Sequence, residues 1–358
     1  MVLNRCLVVG HRGFKAKYTE NTLNGFYQCF QTGAKSFETD VWTTKDHVLV
    51  ISHDVNTKRI FCDEDGNEAD YNILETDYEV LKPLRTIASG EPLLKFTDVL
   101  EWFLAYVKQH EAENDYRIML DLKAANPPVI LKLLMKDMLS VHPDLSWWFS
   151  RIQFGVWHMR FVKYLNQDPE IQSLLQEAGS HKGYKQFDLL HISLNWQSSM
   201  LFLSYNEYLN SLPKDRFKFK VTGVSIIYTS TWSPSFVKYF LPAIKKQNLS
   251  LYSWTINLRL QLEYFRHLCS FATIHEYGII TDHPDKLESL CDAEVVNVGT
   301  PKASFFQLLL SYILNAIIRM PKVDDGSFES PVDPMKAHPA RMTLGRRMFA
   351  FLQHMNVF

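Results

Sequence analysis

The sequence predicts an α/β fold, a (β/α)8 TIM barrel carrying a small insertion and a C-terminal membrane-associating tail. Three observations carry that expectation. Eight short runs of aliphatic and β-branched residues recur along the chain, and segments with helical periodicity separate them, which is the alternation of a parallel α/β sheet. A length of 358 residues suits one large barrel with appendages, or two domains, better than a minimal domain.

Taken in order, Cys6–Gly10 is the first strand, since its apolar stretch is too short for a secretion signal and runs straight into charged sequence. Asn21–Thr32 supplies the next helix and Phe37–Trp42 the second strand. Val48–His53 reads as a strand returning from a turn at Lys45, Asp46 and His47. Residues Asn56–Leu93 break the alternation: they are polar, turn-rich and too long for an ordinary βα loop, so they form the insertion capping one end of the barrel. Its acidic run Asp63, Glu64 and Asp65 lacks the spacing of a calcium loop and is expected to be a solvated turn. Helix Phe96–His110, strand Arg117–Leu122, helix Pro128–Ser140, strand Ile152–Trp157 and helix Trp157–Asn166 then resume the alternation. Strands Leu189–Leu194 and Val221–Tyr228, helix Ser233–Gln247, strand Leu249–Ile256, helix Leu258–Phe271 and strand Gly278–Thr281 complete it. In a barrel the chemistry sits at the C-terminal ends of the strands. The polar residues ending these runs are His11 with Arg12, Glu38 with Asp40, Asp121 with Lys123, Trp254 with Asn257, and Thr281 with Asp282.

Side chains alternate faces along a strand, so Glu38 and Asp40 share one face while Phe37, Thr39 and Val41 take the other. Two buried carboxylates side by side repel unless something positive lies between them, and a divalent cation is the usual resolution. Asp121 and Lys123 repeat that spacing on another strand, adding a third carboxylate and a cation. An all-oxygen set suits Mg2+ or Ca2+ better than zinc. Arg12 and Lys123 supply fixed positive charge, and Arg12 can grip a phosphate through two parallel hydrogen bonds. A metal flanked by Arg and Lys implies a phosphate substrate. Cleaving a phosphodiester needs one group to take a proton and another to give one, and His11 and His53 are the candidates.

These residues carry a resemblance. HRG at residues 11–13, ENT at 20–22, GAKSFETDVWTTKD at 33–46 and SHD at 52–54 resemble the signature of the glycerophosphodiester phosphodiesterase family. LDLK at 120–123, SWTIN at 253–257 and GIITDHP at 278–284 continue it in order across residues 5–292. Within the family the chain is most similar to the fungal phosphatidylglycerol phospholipases C. The resemblance implies metal-dependent diester cleavage with His11 and His53 as the acid/base pair and Glu38, Asp40 and Asp121 as ligands. It implies phosphate contacts from Arg12 and Lys123, and a glycerol-facing Trp254 that the residues alone would equally well read as a core aromatic. The family usually has Glu where Asp121 stands, and proline where Thr19 precedes ENT.

With 38 basic and 39 acidic residues, nothing global points to nucleic acid. The five cysteines are scattered with no metal spacing and read as free thiols of a reducing compartment. The longest apolar stretch, Ala303–Met320, would span about 27 Å as a helix, just short of a bilayer core. Ser304, Gln307, Ser311 and Asn315 form a narrow uncharged stripe along it, with Lys302, Arg319 and Lys322 at its flanks. Lying in a membrane interface, inserting shallowly, spanning the bilayer and packing on the barrel all remain open for it. A Pro/Asp-rich linker, Val323–Pro339, is expected to be too polar to pack. The basic amphipathic tail Arg341–Phe358, with Arg346 and Arg347, suits anionic lipid. The expected function is phospholipase C-type cleavage of phosphatidylglycerol to diacylglycerol and glycerol 3-phosphate at an intracellular membrane surface, such as a lipid droplet, the endoplasmic reticulum or a mitochondrion. The alternatives are hydrolysis of water-soluble glycerophosphodiesters and a non-catalytic phospholipid-binding scaffold.

Overall fold

The fold is described from a computed structural model over residues 6–110, 115–180, 187–213, 218–274, 276–291, 299–317 and 327–337. Its strands are β1 (Cys6–Gly10), β2 (Ser36–Thr43), β3 (Leu49–Ile51), β4 (Phe61–Cys62), β5 (Arg85–Thr86), β6 (Arg117–Leu122), β7 (Ile152–Val156), β8 (Leu189–Ser193), β9 (Gly223–Ile227), β10 (Ser250–Trp254) and β11 (Tyr277–Thr281). β1, β2 and β6 to β11 run parallel, and β1 pairs with both β11 and β2, so the eight expected strands close into a barrel. β2 continues beyond the barrel into an antiparallel hairpin with β3, Val41 opposite Ile51, as the returning run Val48–His53 predicts.

Burial follows the two faces of the strands. Val9, Met119, Leu190, Tyr252 and Ile280 fill the barrel interior, with Leu7 and Trp254 packed against them. The opposite faces join the helices in a larger core. Thr22 caps the helix Leu23–Gln31 by accepting from Gly25 N, and Phe26, Cys29 and Phe30 recur at helical spacing on its buried side. Phe26 stacks on Phe37 of β2 at 4.1 Å, a ring pair contributing about 0.5–1.5 kcal/mol beyond its buried area. The insertion has a core of its own, in which Phe61, Ile73, Leu81, Leu84 and Leu93 gather on Trp42 and Val50 of the hairpin. Its Asp63 accepts from the backbone N–H of Asp65 and Asn67, the expected solvated turn.

Helices Trp196–Ser211 and Pro284–Cys291 fill two βα intervals where the apolar pattern gave no signal. In the first, Ser199 and Asn206 lie on the buried side, where Ser199 Oγ meets His191 Nδ1 at 2.9 Å and Asn206 Nδ2 donates to Val221 O at 2.9 Å. Polar residues on a buried face blur the apolar stripe.

One tail expectation is corrected. Residues 327–337 are not an unpacked linker: they dock along the barrel's flank. Buried Lys163 donates to Ser327 O at 2.8 Å and Ser330 Oγ at 2.7 Å, Arg160 donates to Lys336 O at 2.8 Å, and Val129 N to Pro334 O at 2.9 Å. Phe328 packs on Tyr205 and Tyr208 at 5.1 and 5.4 Å. Backbone carbonyls satisfy buried cations whatever the side-chain polarity, so a polar sequence can pack. Deleting residues 327–337 is expected to cost about 4 kcal/mol or more, since three hydrogen bonds to charged groups are lost at about 1.5–3 kcal/mol each; an unchanged urea midpoint would remove the docking.

The apolar stretch is helical over Phe305–Ile317 among the described residues, a length of about 20 Å. Of its polar stripe Ser311 faces the protein while Ser304 is exposed: Ser311 and Leu314 are 1% and 4% exposed against the short helix Tyr228–Thr231, and Phe305 and Phe306 are 74% and 79% exposed. Among the described residues no helix is long and apolar enough to cross a membrane. Arg319, Lys322 and the basic tail Arg341–Phe358 lie outside the described residues.

Candidate active site

The site grows out of the first turn of the chain. After β1 the backbone must reverse at once, and it does so with Arg12 at φ +52° and Gly13 at φ +85°. Only glycine takes the second position without strain, and a Cβ there would also press on Gly25 at 2.8 Å. The reversal aims the Arg12 N–H at Glu38 Oε2, 2.9 Å away on β2, and brings His11 N onto Thr281 O of β11 at 2.8 Å. A non-glycine residue in this region costs about 1–2 kcal/mol. Ion pairs of the buried Arg12 side chain offset it: Glu20 Oε1 lies 3.0 Å and Asp40 Oδ2 3.5 Å from its guanidinium.

Strand register brings the carboxylates together. Asp40 of β2 pairs directly with Asp121 of β6, and Glu38 stands one inward position before Asp40. One ligand atom from each of these three buried residues lies within 4.8 Å of the others. Lys123 Nζ bridges Asp40 Oδ1 at 2.6 Å and Asp121 Oδ2 at 2.7 Å, and Asn21 Nδ2 donates to Asp40 Oδ2 at 2.9 Å. Burial pushes Asp40 up, but Lys123, His53, Arg12 and Asn21 outweigh it and hold the carboxyl well below its usual range. Glu38 goes the other way: burial, then the charges of Asp40 and Asp121, raise it well above the glutamate range despite Lys123 and Arg12. The two cations therefore leave the acidic set under-compensated. A divalent ion fits an all-oxygen set with residual repulsion of this kind.

His11 and His53 stand at the edges of this set, each oriented by an aspartate. His11 Nδ1 meets Asp282 Oδ1 at 2.7 Å, and Asn257 Nδ2 donates to Asp282 Oδ2 at 3.0 Å. His53 Nδ1 meets Asp54 Oδ1 at 2.6 Å; Arg59 from the insertion donates to Asp54 Oδ2 at 2.5 Å and clamps both oxygens of Glu20. With each aspartate holding Nδ1–H, Nε2 carries the lone pair that moves protons. Burial first, then Arg12, lowers His11, with Asp282 partly opposing. Burial, Arg12 and Lys123 lower His53 further, against Asp40 and Glu20. Both imidazoles are thus neutral at pH 7.

Of the eight residues singled out in the sequence, His11 and Arg12 follow β1, His53 follows β3, Asp121 and Lys123 stand at the end of β6 and Trp254 ends β10, while Glu38 and Asp40 lie within β2, whose last residues run on beyond the barrel. Trp254 packs on the interior cluster while its ring meets Trp157 at 6.0 Å and 72°, so its placement accords with both of its readings. Asp282, Asn257, Glu20, Arg59 and Trp157 were not given roles beforehand. The motifs GIITDHP, SWTIN and ENT contain the first three, whereas Arg59 and Trp157 stand outside every motif and only the fold delivers them.

A model of the glycerophosphoryl diester phosphodiesterase family matches residues 11–286. A glycerophosphodiester phosphodiesterase of Caldanaerobacter subterraneus subsp. tengcongensis is 40% identical over 288 residues, covering 80% of this chain and 98% of that protein. Among solved structures, the chain shares its fold with an Oleispira antarctica phosphodiesterase in complex with the product sn-glycerol-3-phosphate, at TM-score 0.53 and 17% identity over 81% of this chain and 98% of that one. A Thermotoga maritima glycerophosphodiester phosphodiesterase matches at TM-score 0.51 and 19% identity, over 80% and 99% of the two chains. The family match spans the whole site, from His11 past Asp282, and with it the chain belongs to the glycerophosphoryl diester phosphodiesterase family of phosphoric diester hydrolases.

Proposed function

We propose that the chain hydrolyses a diester of glycerol phosphate, retaining glycerol 3-phosphate and releasing the alcohol on the other ester arm. The carrying observation is the pairing of two aspartate-oriented histidines, His11 with Asp282 and His53 with Asp54, at the edges of one buried carboxylate triad. The relatives' names agree with this reaction class. His53, the more strongly neutral imidazole, takes the proton of the attacking hydroxyl at Nε2. His11 is neutral in the free protein, and it gives a proton to the departing alkoxide from the imidazolium form, which it reaches by taking up a proton at Nε2 as the anionic phosphate binds and Asp282 holds Nδ1–H. Arg12 and Lys123 keep N–H donors beyond their carboxylate pairs, five in a guanidinium and three in an ammonium, and these serve the phosphate oxygens. Mg2+ or Ca2+ held by Glu38, Asp40 and Asp121 would supply charge neutralisation to the phosphate.

The relatives' names fit water-soluble glycerophosphodiesters as substrate. A lipid version of the same chemistry, with phosphatidylglycerol as the diester and diacylglycerol as the released alcohol, is favoured by one specific observation. The helix Phe305–Ile317 lies on Tyr228–Thr231, which begins where β9 ends, on the catalytic end of the barrel, and turns Phe305, Phe306, Leu309, Tyr312 and Ile313 outward. Leu258 and Leu260, just past the end of β10, are 62% and 74% exposed on the same end. Apolar groups gathered around a site mouth suit a lipid surface. Phe306→Glu combined with Ile313→Glu is therefore expected to lower turnover of phosphatidylglycerol in vesicles by about tenfold or more, since each apolar side chain removed from an interface is worth roughly 1.5–3 kcal/mol. Glycerophosphoglycerol turnover in solution should stay within about twofold, because neither Phe306 nor Ile313 belongs to the catalytic, acidic or phosphate-binding set. Mass-spectrometric product analysis from both substrates decides: diacylglycerol from vesicles supports the lipid reading, and turnover of soluble diesters alone returns the simpler one.

A further inference from the structure

Trp157 follows β7 immediately, and its indole reaches across to the neighbouring strand. Nε1–H donates to Asp121 Oδ1 at 2.7 Å, while Lys123 Nζ donates to Asp121 Oδ2 at 2.7 Å. Each oxygen of Asp121 is therefore held by its own donor, one neutral and one charged. The indole is also fixed from behind, its ring meeting Trp254 at 6.0 Å and a 72° interplanar angle. Asp121 is the shortest carboxylate that could occupy this place, one methylene shorter than glutamate. A short carboxylate sits close to its own strand and has two broad, nearly equivalent χ2 wells, so its lone pairs point at a shared centre only if something sets the torsion. Lys123 alone is a poor director: an ammonium is a rotating point charge on a flexible stem, and here it is divided between Asp121 and Asp40. The indole N–H is a single donor on a rigid plane.

We propose that Trp157 is a positioning residue for the metal centre, its N–H setting the Asp121 carboxylate so that the remaining lone pairs converge with those of Glu38 and Asp40. The inference rests on reading that triad as a divalent-cation site. Outer partners of a ligating carboxylate typically change metal affinity by about 10–100-fold. Trp157→Phe keeps an aromatic ring against Trp254 and removes the N–H; Trp157→Tyr does the same with a different polar edge. The test is calorimetric titration of the full chain with Mn2+, alongside thermal melting of each variant. Mn2+ affinity should fall about 10–100-fold in both variants, with Tm within a few degrees of the parent. In a double-mutant cycle with Asp121→Asn, Trp157→Phe should have little further effect, since the N–H then has no carboxylate to direct. Parent protein that binds no Mn2+ would overturn the metal-centre reading itself. Parent protein that binds while both variants bind equally well would overturn only the role of Trp157. If neither variant folds, indole N–H resonances of the 15N-labelled parent protein give the same answer: one should shift on titration with Mg2+, and the absence of any shift overturns the proposal.

Discussion

His53→Ala and His11→Ala should each lower turnover of a glycerophosphodiester about 10²–10⁴-fold, the usual worth of a positioned general acid or base. Neither ring is part of the packed core, as their side chains are 23% and 15% exposed, so both variants should melt close to the parent. A packing role predicts the reverse, a lowered Tm with little loss in the turnover of whatever remains folded. The pH profile adds a second readout. A base works only when neutral, and burial with Arg12 and Lys123 lowers His53 below its ordinary value, so the acid limb of kcat/KM should fall below about 6.5. Adding free imidazole should restore part of the activity of His53→Ala. Parent-like turnover in both alanine variants would refute the acid/base pair.

What the sequence made legible divides along a physical line. Parallel strands buried on both faces read as unbroken apolar runs, and all eight stood out for that reason. Glu38 and Asp40 were readable as one ligand face because strand periodicity is strictly two, and Asp121 with Lys123 repeats it. What escaped is what only closure of the barrel creates. His11 and Asp282 are 271 positions apart and become partners because β1 and β11 are neighbours. Arg59 belongs to an insertion whose sequence says turn, yet its guanidinium ties Asp54 to Glu20. The docked residues 327–337 were misread for a related reason. Their own side chains are polar, but the cations that hold them, Lys163 and Arg160, lie on a helix more than 160 positions earlier. Local composition reports solvation preference and carries no record of a distant donor.

The largest effect expected on the protein as a whole follows from the charge of the triad. Stripping divalent ions with EDTA should abolish turnover, and Mg2+ or Ca2+ should restore it; full activity in metal-free buffer would remove the ligand assignment. Stability offers a separate test. Glu38 titrates above its unfolded value, because burial and the charges of Asp40 and Asp121 outweigh Lys123 and Arg12. Below the unfolded value its contribution to stability is fully present, and it is lost as pH rises through the folded value, where the folded protein must give up a proton it holds more tightly. Asp40 is depressed and has the opposite sign: its contribution is present above the ordinary aspartate range and fades only as pH falls through the lower folded value. In EDTA, then, the ionisation of Glu38 should draw Tm down as pH rises above the glutamate range. A divalent ion binds the ionised form, so its stabilisation grows with pH by mass action, about 2.7 kcal/mol at 100 times Kd. The melting curves with and without metal should diverge as pH increases. In Asp40→Asn the repulsion on Glu38 and one ligand are lost together, so the metal-free slope should flatten while the metal-dependent gain disappears. Parallel curves in the parent protein would mean that these carboxylates hold no ion, and that Lys123 and Arg12 alone balance them.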